Sequence, residues 1–284
     1  MIIREYIHSI TNRLQPLYDS REAAAIAKLY VQSKLDLPAY ELALRGNEVL
    51  IADELAVYEK DVERLIKGCP LQYVLGKADF YGLEFEVTPD TLIPRPETEE
   101  LVQQVVEVLA EKENPTIWDV GTGSGCIAIA LAKQLPQARV LATDVSESAL
   151  MVARRNASRH GAAVELACHD MCDVEHLPFE NVRFDAIVSN PPYIPESVRG
   201  QMHVNVREYE PAGALFVPTE RPLLYYEALA KLSYQVLKRM GYCFMETFDD
   251  YHAELSKLFL SENFSFVASR ADINGKPRIF IAQR

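Results

Sequence analysis

Three short stretches carry residue types whose spacing suits chemistry. The first is Asp119-Val120-Gly121-Thr122-Gly123-Ser124-Gly125. Its glycines let the backbone turn tightly and approach a ligand with no Cβ in the way. A helix starting directly after it would aim free N–H groups at whatever is bound. The second is Asp144, at the end of the next candidate strand, where a carboxylate can accept both hydroxyls of a ribose. The third is Asn190-Pro191-Pro192-Tyr193. Prolines fix φ and donate no hydrogen bond. A carboxamide oxygen and a bare backbone carbonyl therefore stand in one rigid arrangement that suits an N–H2 group, and Tyr193 can lie flat on a planar ligand.

Two ligands use the glycine-loop geometry: a dinucleotide, or S-adenosyl-L-methionine, which leaves as S-adenosyl-L-homocysteine. The dinucleotide pattern is G-x-G-x-x-G. Here the third glycine comes one residue early, at Gly125, and Cys126 takes the expected place. Asp119 would oppose a phosphate but could meet the ammonium of the methyl donor, directly or through water. The balance tilts to S-adenosyl-L-methionine, with a dinucleotide and a plain strand-to-helix turn as the alternatives. The acceptor stretch fits the same chemistry. An amide or exocyclic amine nitrogen is a poor nucleophile because its lone pair is delocalised. Positive charge develops on it as it takes a methyl group, and acceptors aimed at its N–H2 help most at that moment.

The elements that must position these residues alternate. Candidate strands are Thr116–Val120, Val140–Asp144, Val164–Cys168, Phe184–Ser189, Tyr242–Glu246, Phe264–Ala268 and Arg278–Ala282. Candidate helices are Glu97–Glu111, Gly125–Gln134, Glu147–Arg159, Pro222–Arg239 and Tyr251–Glu262. Such alternation predicts an α/β fold with a mostly parallel sheet, whose ligands bind at the carboxyl ends of the strands.

Residues 1–70 have a helical period instead. Helices are predicted along Tyr6 to Leu17, from a Ser20 cap to Leu37, over Ala39–Leu44, and from a capped Asp53 to Lys67. Leu83, Phe85 and Val87 alternate with Glu84 and Glu86, and this strand is predicted to pair with Tyr73–Leu75. The expected organisation is a helical bundle over 1–70, a linking β-hairpin over 71–90 and an α/β part over 91–284.

Composition narrows the classes. With 41 acidic and 29 basic residues the net charge is −12, which disfavours direct nucleic-acid binding. Residues 1–72 hold 9 basic and 11 acidic side chains, so most of the acidity sits on the α/β part. The first residues do not read as a secretory signal, and the apolar run Cys126 to Ala132 is far short of a membrane span. Five scattered cysteines suit a reducing cytoplasm. Cys168-His169-Asp170-Met171-Cys172 lacks a second ligand pair, and no metal is expected. Cys168 is expected to end a buried strand, Trp118 to be core, Tyr225-Tyr226 to begin a core stripe, and Arg95 to steady the acceptor loop or pair with Glu97.

The whole chain resembles the protein-(glutamine-N5) methyltransferases of bacterial peptide chain release factors, the HemK/PrmC family. The resemblance runs through Pro70-Leu71-Gln72-Tyr73-Val74-Leu75-Gly76 and Phe80-Tyr81-Gly82-Leu83-Glu84-Phe85. It continues through Leu92-Ile93-Pro94-Arg95-Pro96-Glu97-Thr98-Glu99, the glycine loop, Ser189-Asn190-Pro191-Pro192-Tyr193-Ile194 and Glu210-Pro211-Ala212-Gly213-Ala214-Leu215. The Ile-Pro-Arg-Pro segment is the most specific of these, whereas adenine-N6 DNA methyltransferases share the Asn-Pro-Pro-Tyr motif. The resemblance implies a Rossmann-like class I methyltransferase with a seven-stranded sheet. It implies methyl transfer to the side-chain amide nitrogen (N5) of the glutamine of a Gly-Gly-Gln motif in release factors, with the helical part as the docking module; the alternatives are an adenine-N6 methyltransferase acting on DNA or RNA, or a catalytically silent donor-binding module. By match, Gly121 to Gly125 wrap the methionine end of the donor, Asp144 holds the ribose, and Asp170 and Met171 lie beside the adenine. The candidate donor-site residues are thus Asp119, Gly121, Thr122, Gly123, Ser124, Gly125, Asp144, Asp170, Met171 and Asn190. Asn190, Pro191, Pro192 and Tyr193 are expected to hold the glutamine, with Arg95 nearby. Glu246 matches a family glutamate, and Thr247-Phe248-Asp249 departs from the family pattern just after it.

Overall fold

Apolar spacing organises the N-terminal helices of the computed structural model, which describes residues 1–179, 181–248, 251–272 and 275–284. These are α1 (Ile3–Leu14), α2 (Ser20–Leu35), α3 (Ala39–Leu44), α4 (Ala52–Ile66) and α5 (Leu71–Leu75). In α1, Ile3, Tyr6, Ile10 and Leu14 form one buried stripe. The cap of α2 is Asp19 rather than Ser20, and its carboxylate accepts from the backbone N–H groups of Arg21 and Glu22. The fourth helix follows Ile51 with no side-chain cap, and Asp53 and Glu54 sit in its first turn, facing the positive end of the helix dipole. Residues Met1–Gly76 and His203–Tyr209 form one unit. Within it, the Tyr209 hydroxyl donates to the Lys67 carbonyl at 2.9 Å.

The second unit is Lys77–Met202 with Glu210–Arg284. Along the rest of the chain come β1 (Lys77–Phe80), β2 (Leu83–Glu86), α6 (Pro96–Leu109), β3 (Thr116–Val120), α7 (Cys126–Gln134) and β4 (Arg139–Asp144). Next are α8 (Glu147–His160), β5 (Val164–Cys168), β6 (Phe184–Ser189), β7 (Ile194–Pro195), α9 (Val204–Tyr209), α10 (Ala212–Leu215) and β8 (Phe216–Val217). The chain ends with α11 (Leu224–Val236), β9 (Leu237–Glu246), α12 (His252–Ser261), β10 (Phe266–Ala271) and β11 (Pro277–Gln283).

The predicted pairing of Tyr73–Leu75 is corrected. That segment is helix α5, opened by Pro70 and closed by Gly76 at φ 72. The hairpin is β1 with β2 instead. Phe80 pairs with Leu83, so its turn is two residues, Tyr81 and Gly82, both at positive φ as such a turn requires. A tyrosine rarely adopts that conformation. Here its backbone N–H donates to Glu99 Oε1 at 2.8 Å.

The main sheet has the order β10-β11-β9-β6-β3-β4-β5. Strands β9, β6, β3, β4 and β5 are parallel, and β11 runs against its neighbours. From β3 the chain moves outward to β4 and β5, then returns to β6 on the other side of β3. The order therefore reverses there, and a crevice opens at the carboxyl ends. Strand alternation splits the core between the two faces. Ile117, Val188 and Phe244 pack with α6 and α7 and with hairpin residues Phe80 and Phe85. Trp118, Ile187 and Met245 pack with Tyr226, Leu229 and Phe259. Among the described residues no helix is long and apolar enough to cross a membrane.

Candidate active site

On the donor side, Val120 and Thr143 are partners across β3 and β4, so both strands deliver their next residues to one edge. The Gly121 and Thr122 N–H groups both donate to the Thr143 carbonyl at 2.8 Å. The Gly123 N–H donates to Asp144 Oδ2 at 2.8 Å, and the Ser146 N–H donates to Asp144 Oδ1 at 2.9 Å. Each carboxylate oxygen keeps acceptor capacity for a ligand hydroxyl. Gly125 sits at φ +83, and a Cβ there would stand 3.0 Å from Ile129 Cδ1 and 3.2 Å from Ala153 Cβ. That glycine lets α7 pack on α8 directly beneath the loop.

Asp119 is fully buried under the loop and lies outside the cavity wall. Its Oδ2 accepts from Thr122 Oγ1 at 2.6 Å and from the Ala128 N–H at 3.2 Å. Oδ1 has no partner among the described residues. Burial pushes the Asp119 carboxyl up to about 7. Burial also raises the Asp144 carboxyl, against the lowering effect of the Ser146 and Gly123 N–H groups.

A cavity of about 440 Å³ opens over the loop, within the size range of small-molecule sites. Gly121 to Ser124, Asp144, Asp170, Met171, Asn190, Pro192 and Arg95 line it. Tyr225 lines it as well, while Tyr226 is the fully buried member of the pair. The stripe predicted as core thus turns one ring into the core and the other toward the cavity. The fittings suit S-adenosyl-L-methionine. Asp144 offers hydroxyl acceptors, and Met171 and Tyr225 offer apolar walls for a flat base, while Asp119 is sealed beneath the loop away from the cavity.

On the acceptor side, β6 ends at Ser189, level with Val120 of β3, which brings Asn190 to the same edge. Asn190 Nδ2 donates to Thr98 Oγ1 at 3.2 Å. Thr98 Oγ1 donates to Glu246 Oε2 at 2.6 Å, and the Tyr193 hydroxyl donates to Glu246 Oε1 at 2.9 Å. Glu246 ends β9 and is buried, and this burial raises its carboxyl above the ordinary range. Tyr193 is committed to Glu246, with its ring 6.2 Å from that of Phe248. Neither Tyr193 nor buried Pro191 forms part of the cavity wall. Asp249, part of the departure noted after Glu246, lies outside the described residues.

Arg95 pairs with Glu210 rather than Glu97. Its Nη2 lies 2.5 Å from Glu210 Oε1, whose side chain is 1% exposed, and Glu210 Oε2 accepts from the Ile93 N–H. The two motifs around Arg95 and Glu210 are therefore one structure. Cys168 is exposed, because β5 is the edge strand of the sheet. Sequence reasoning passes over Thr98 as a site residue. It also misses Asn156, whose buried amide donates to the carbonyls of Ser124 and Glu86 and accepts from the Glu86 N–H, strapping the hairpin to the loop. A threonine inside the Ile-Pro-Arg-Pro-Glu-Thr segment is a visible signal. A mid-helix asparagine is not.

The sheet order, the glycine loop and the carboxyl-edge cavity define a class I methyltransferase. Residues 100–240 match the methyltransferase small domain and residues 5–76 match the PrmC N-terminal domain. A release factor glutamine methyltransferase from Bacteroides thetaiotaomicron is 38% identical over 278 residues, covering 97% of this chain and 98% of its own. One from Flavobacterium psychrophilum is 36% identical over 282 residues, covering 98% of each chain. Among solved structures, the catalytic domain of hMettl16 in complex with the MAT2A 3'UTR hairpin 6 superposes with a TM-score of 0.56 at 17% identity. That match covers 78% of this chain and 81% of the other, and carries the fold alone. A methyltransferase from Pyrococcus furiosus gives 0.52 at 17% identity, covering 82% and 98%. The chain belongs to the release factor glutamine methyltransferase family.

Proposed function

We propose that this protein methylates the side-chain amide nitrogen (N5) of the glutamine in the Gly-Gly-Gln motif of peptide chain release factors, in the cytoplasm. The observation that carries this reading is the place of Asn190. It stands on the wall of the same cavity as the glycine loop and Asp144, with its amide nitrogen already engaged by Thr98. Bound S-adenosyl-L-methionine supplies an electrophilic methyl group on its sulfonium. The chain's own residues do the rest. Asp144 orients the donor's ribose, and Asp170, Met171 and Tyr225 bound its base. The Asn190 oxygen, on the cavity wall, accepts from the glutamine N–H2 and holds its nitrogen in line, whereas the expected Pro191 carbonyl contact is not carried over because Pro191 is buried off that wall. Positive charge arising on that nitrogen as it takes a methyl group would strengthen the contact with the Asn190 oxygen. The product sheds that charge by losing a proton to water, so no strong base is needed. Alignment supplies much of the remaining acceleration.

The acidic second unit suits a basic substrate loop. If this charge steers encounter, the methylation rate falls as salt rises. The reading is tested with labelled S-adenosyl-L-methionine and either a release factor or duplex DNA. Label is expected on the release factor and is expected to vanish when the Gly-Gly-Gln glutamine becomes alanine. Label on DNA alone overturns the proposal.

A further inference from the structure

Which way a carboxamide points is decided by its neighbours, since its oxygen and nitrogen ends have nearly the same shape. Both oxygens of buried Glu246 have donors, Thr98 Oγ1 at 2.6 Å and the Tyr193 hydroxyl at 2.9 Å. The single hydroxyl proton of Thr98 is therefore committed to Glu246. Its oxygen can then only accept from Asn190, 3.2 Å away. Turning the Asn190 amide over would set Oδ1 against an oxygen with no proton to offer. The amide is thus held with Nδ2 toward Thr98, which leaves Oδ1 for the cavity that Asn190 lines. The three side chains come from separate elements: Thr98 from the first turn of α6, Asn190 from the end of β6, and Glu246 from the end of β9.

We propose that Thr98 and Glu246 are positioning residues that lock the Asn190 carboxamide with its oxygen toward the methyl-accepting nitrogen, a role that rests on the function proposed above. Thr98 touches neither reacting atom in this scheme. It acts by denying Asn190 its other orientation. The same carboxylate holds the Tyr193 hydroxyl, so one buried group sets both ends of the Asn190–Tyr193 turn.

The test uses the full chain with Thr98→Val, which keeps the shape and removes the hydroxyl, and Thr98→Ser, which restores it. Turnover of Thr98→Val on release factor is expected to fall by about 30-fold, the scale of a displaced reacting group, with the donor Kd within about twofold. Thr98→Ser is expected to return to within about threefold of the original. A second readout needs no methyl acceptor. In protein labelled with 15N-asparagine, the Asn190 side-chain N–H2, assigned by its loss in Asn190→Ser, is expected to exchange slowly in the original and in Thr98→Ser. In Thr98→Val it should exchange at least about tenfold faster. Should Thr98→Val fail to fold, Thr98→Ala is judged by the same criteria. Original turnover in Thr98→Val, or an unchanged Asn190 amide, overturns the lock and leaves the proposed function standing. An original protein that never labels release factor sinks the function, and the amide exchange still judges the lock.

Discussion

The two halves of the site are built differently. The donor half is local. The Gly123 N–H reaches Asp144 across 21 residues of chain, Thr122 reaches Asp119 across 3, and most partners are backbone groups of two adjacent strands. The acceptor half is assembled from afar by side chains. Asn190 to Thr98 spans 92 residues, Thr98 to Glu246 spans 148, and Arg95 to Glu210 spans 115. A backbone cradle survives most side-chain changes outside its glycines and its carboxylate. A chain of single hydrogen bonds fails at any member, because each buried partner left behind is unsatisfied. Substitutions on the acceptor side should therefore strike turnover, and substitutions on the donor side should strike affinity.

The largest expected effect is Asn190→Ala. Loss of an acceptor aimed at developing charge should lower kcat about 10²- to 10³-fold, with the donor Kd only modestly weakened. Donor affinity that collapses while kcat at saturation survives would place Asn190 in the other half and break the comparison.

Tyr225→Ala should do the reverse. Removing a ring from the cavity wall should weaken the donor Kd about tenfold and leave kcat at saturating donor nearly unchanged. Equilibrium dialysis against turnover separates the two.

A pH series sharpens the donor half further. The buried Asp119 carboxyl is pushed up to about 7, so between its ordinary value and that point the folded chain holds a proton that the unfolded chain has released. The stability this provides is fully present at low pH and is lost as pH rises through about 7. Urea unfolding should show the original losing stability over this window by at most about 1.4 kcal/mol per pH unit, with a flatter profile in Asp119→Asn. Parallel profiles for the two proteins would mean that Asp119 is ionised throughout.

The smallest effect belongs to a pair outside both halves. Arg139 and Glu165 bond at 2.7 Å, but both side chains are more than half exposed. Arg139→Ala should change stability by no more than about 0.5 kcal/mol and leave both kinetic constants alone. A larger change would show that the strand edge β4–β5 feeds into the site.

Much of the donor half is legible in the amino-acid order. The glycine loop and Asp144 can be read because each lies directly after its own strand, and parallel strands bring such residues together without further information. Asn190 can be placed at that edge for the same reason. Sequence proximity favours local pairs and so points Arg95 to its near neighbour Glu97, whereas burial selects Glu210. The hairpin partner is misread because Tyr73–Leu75 has strand-like residues, while Pro70 and Gly76 bracket it as a single helical turn. Tyr225 and Tyr226 are adjacent and alike. Only the rotation of α11 against the sheet decides which becomes wall and which becomes core.

By itself, the sequence determined the period of each element, the change from helical to alternating elements near residue 70, and the residues that follow each strand. These depend on neighbours in the chain and on local backbone preference. Tertiary structure alone decided the Glu246–Thr98–Asn190 line, the Arg95–Glu210 pair and the Asn156 strap. Each joins side chains from separate elements. A hydrogen bond needs its partners within about 3 Å, and only the packed sheet sets a distance that small between residues so far apart in the chain.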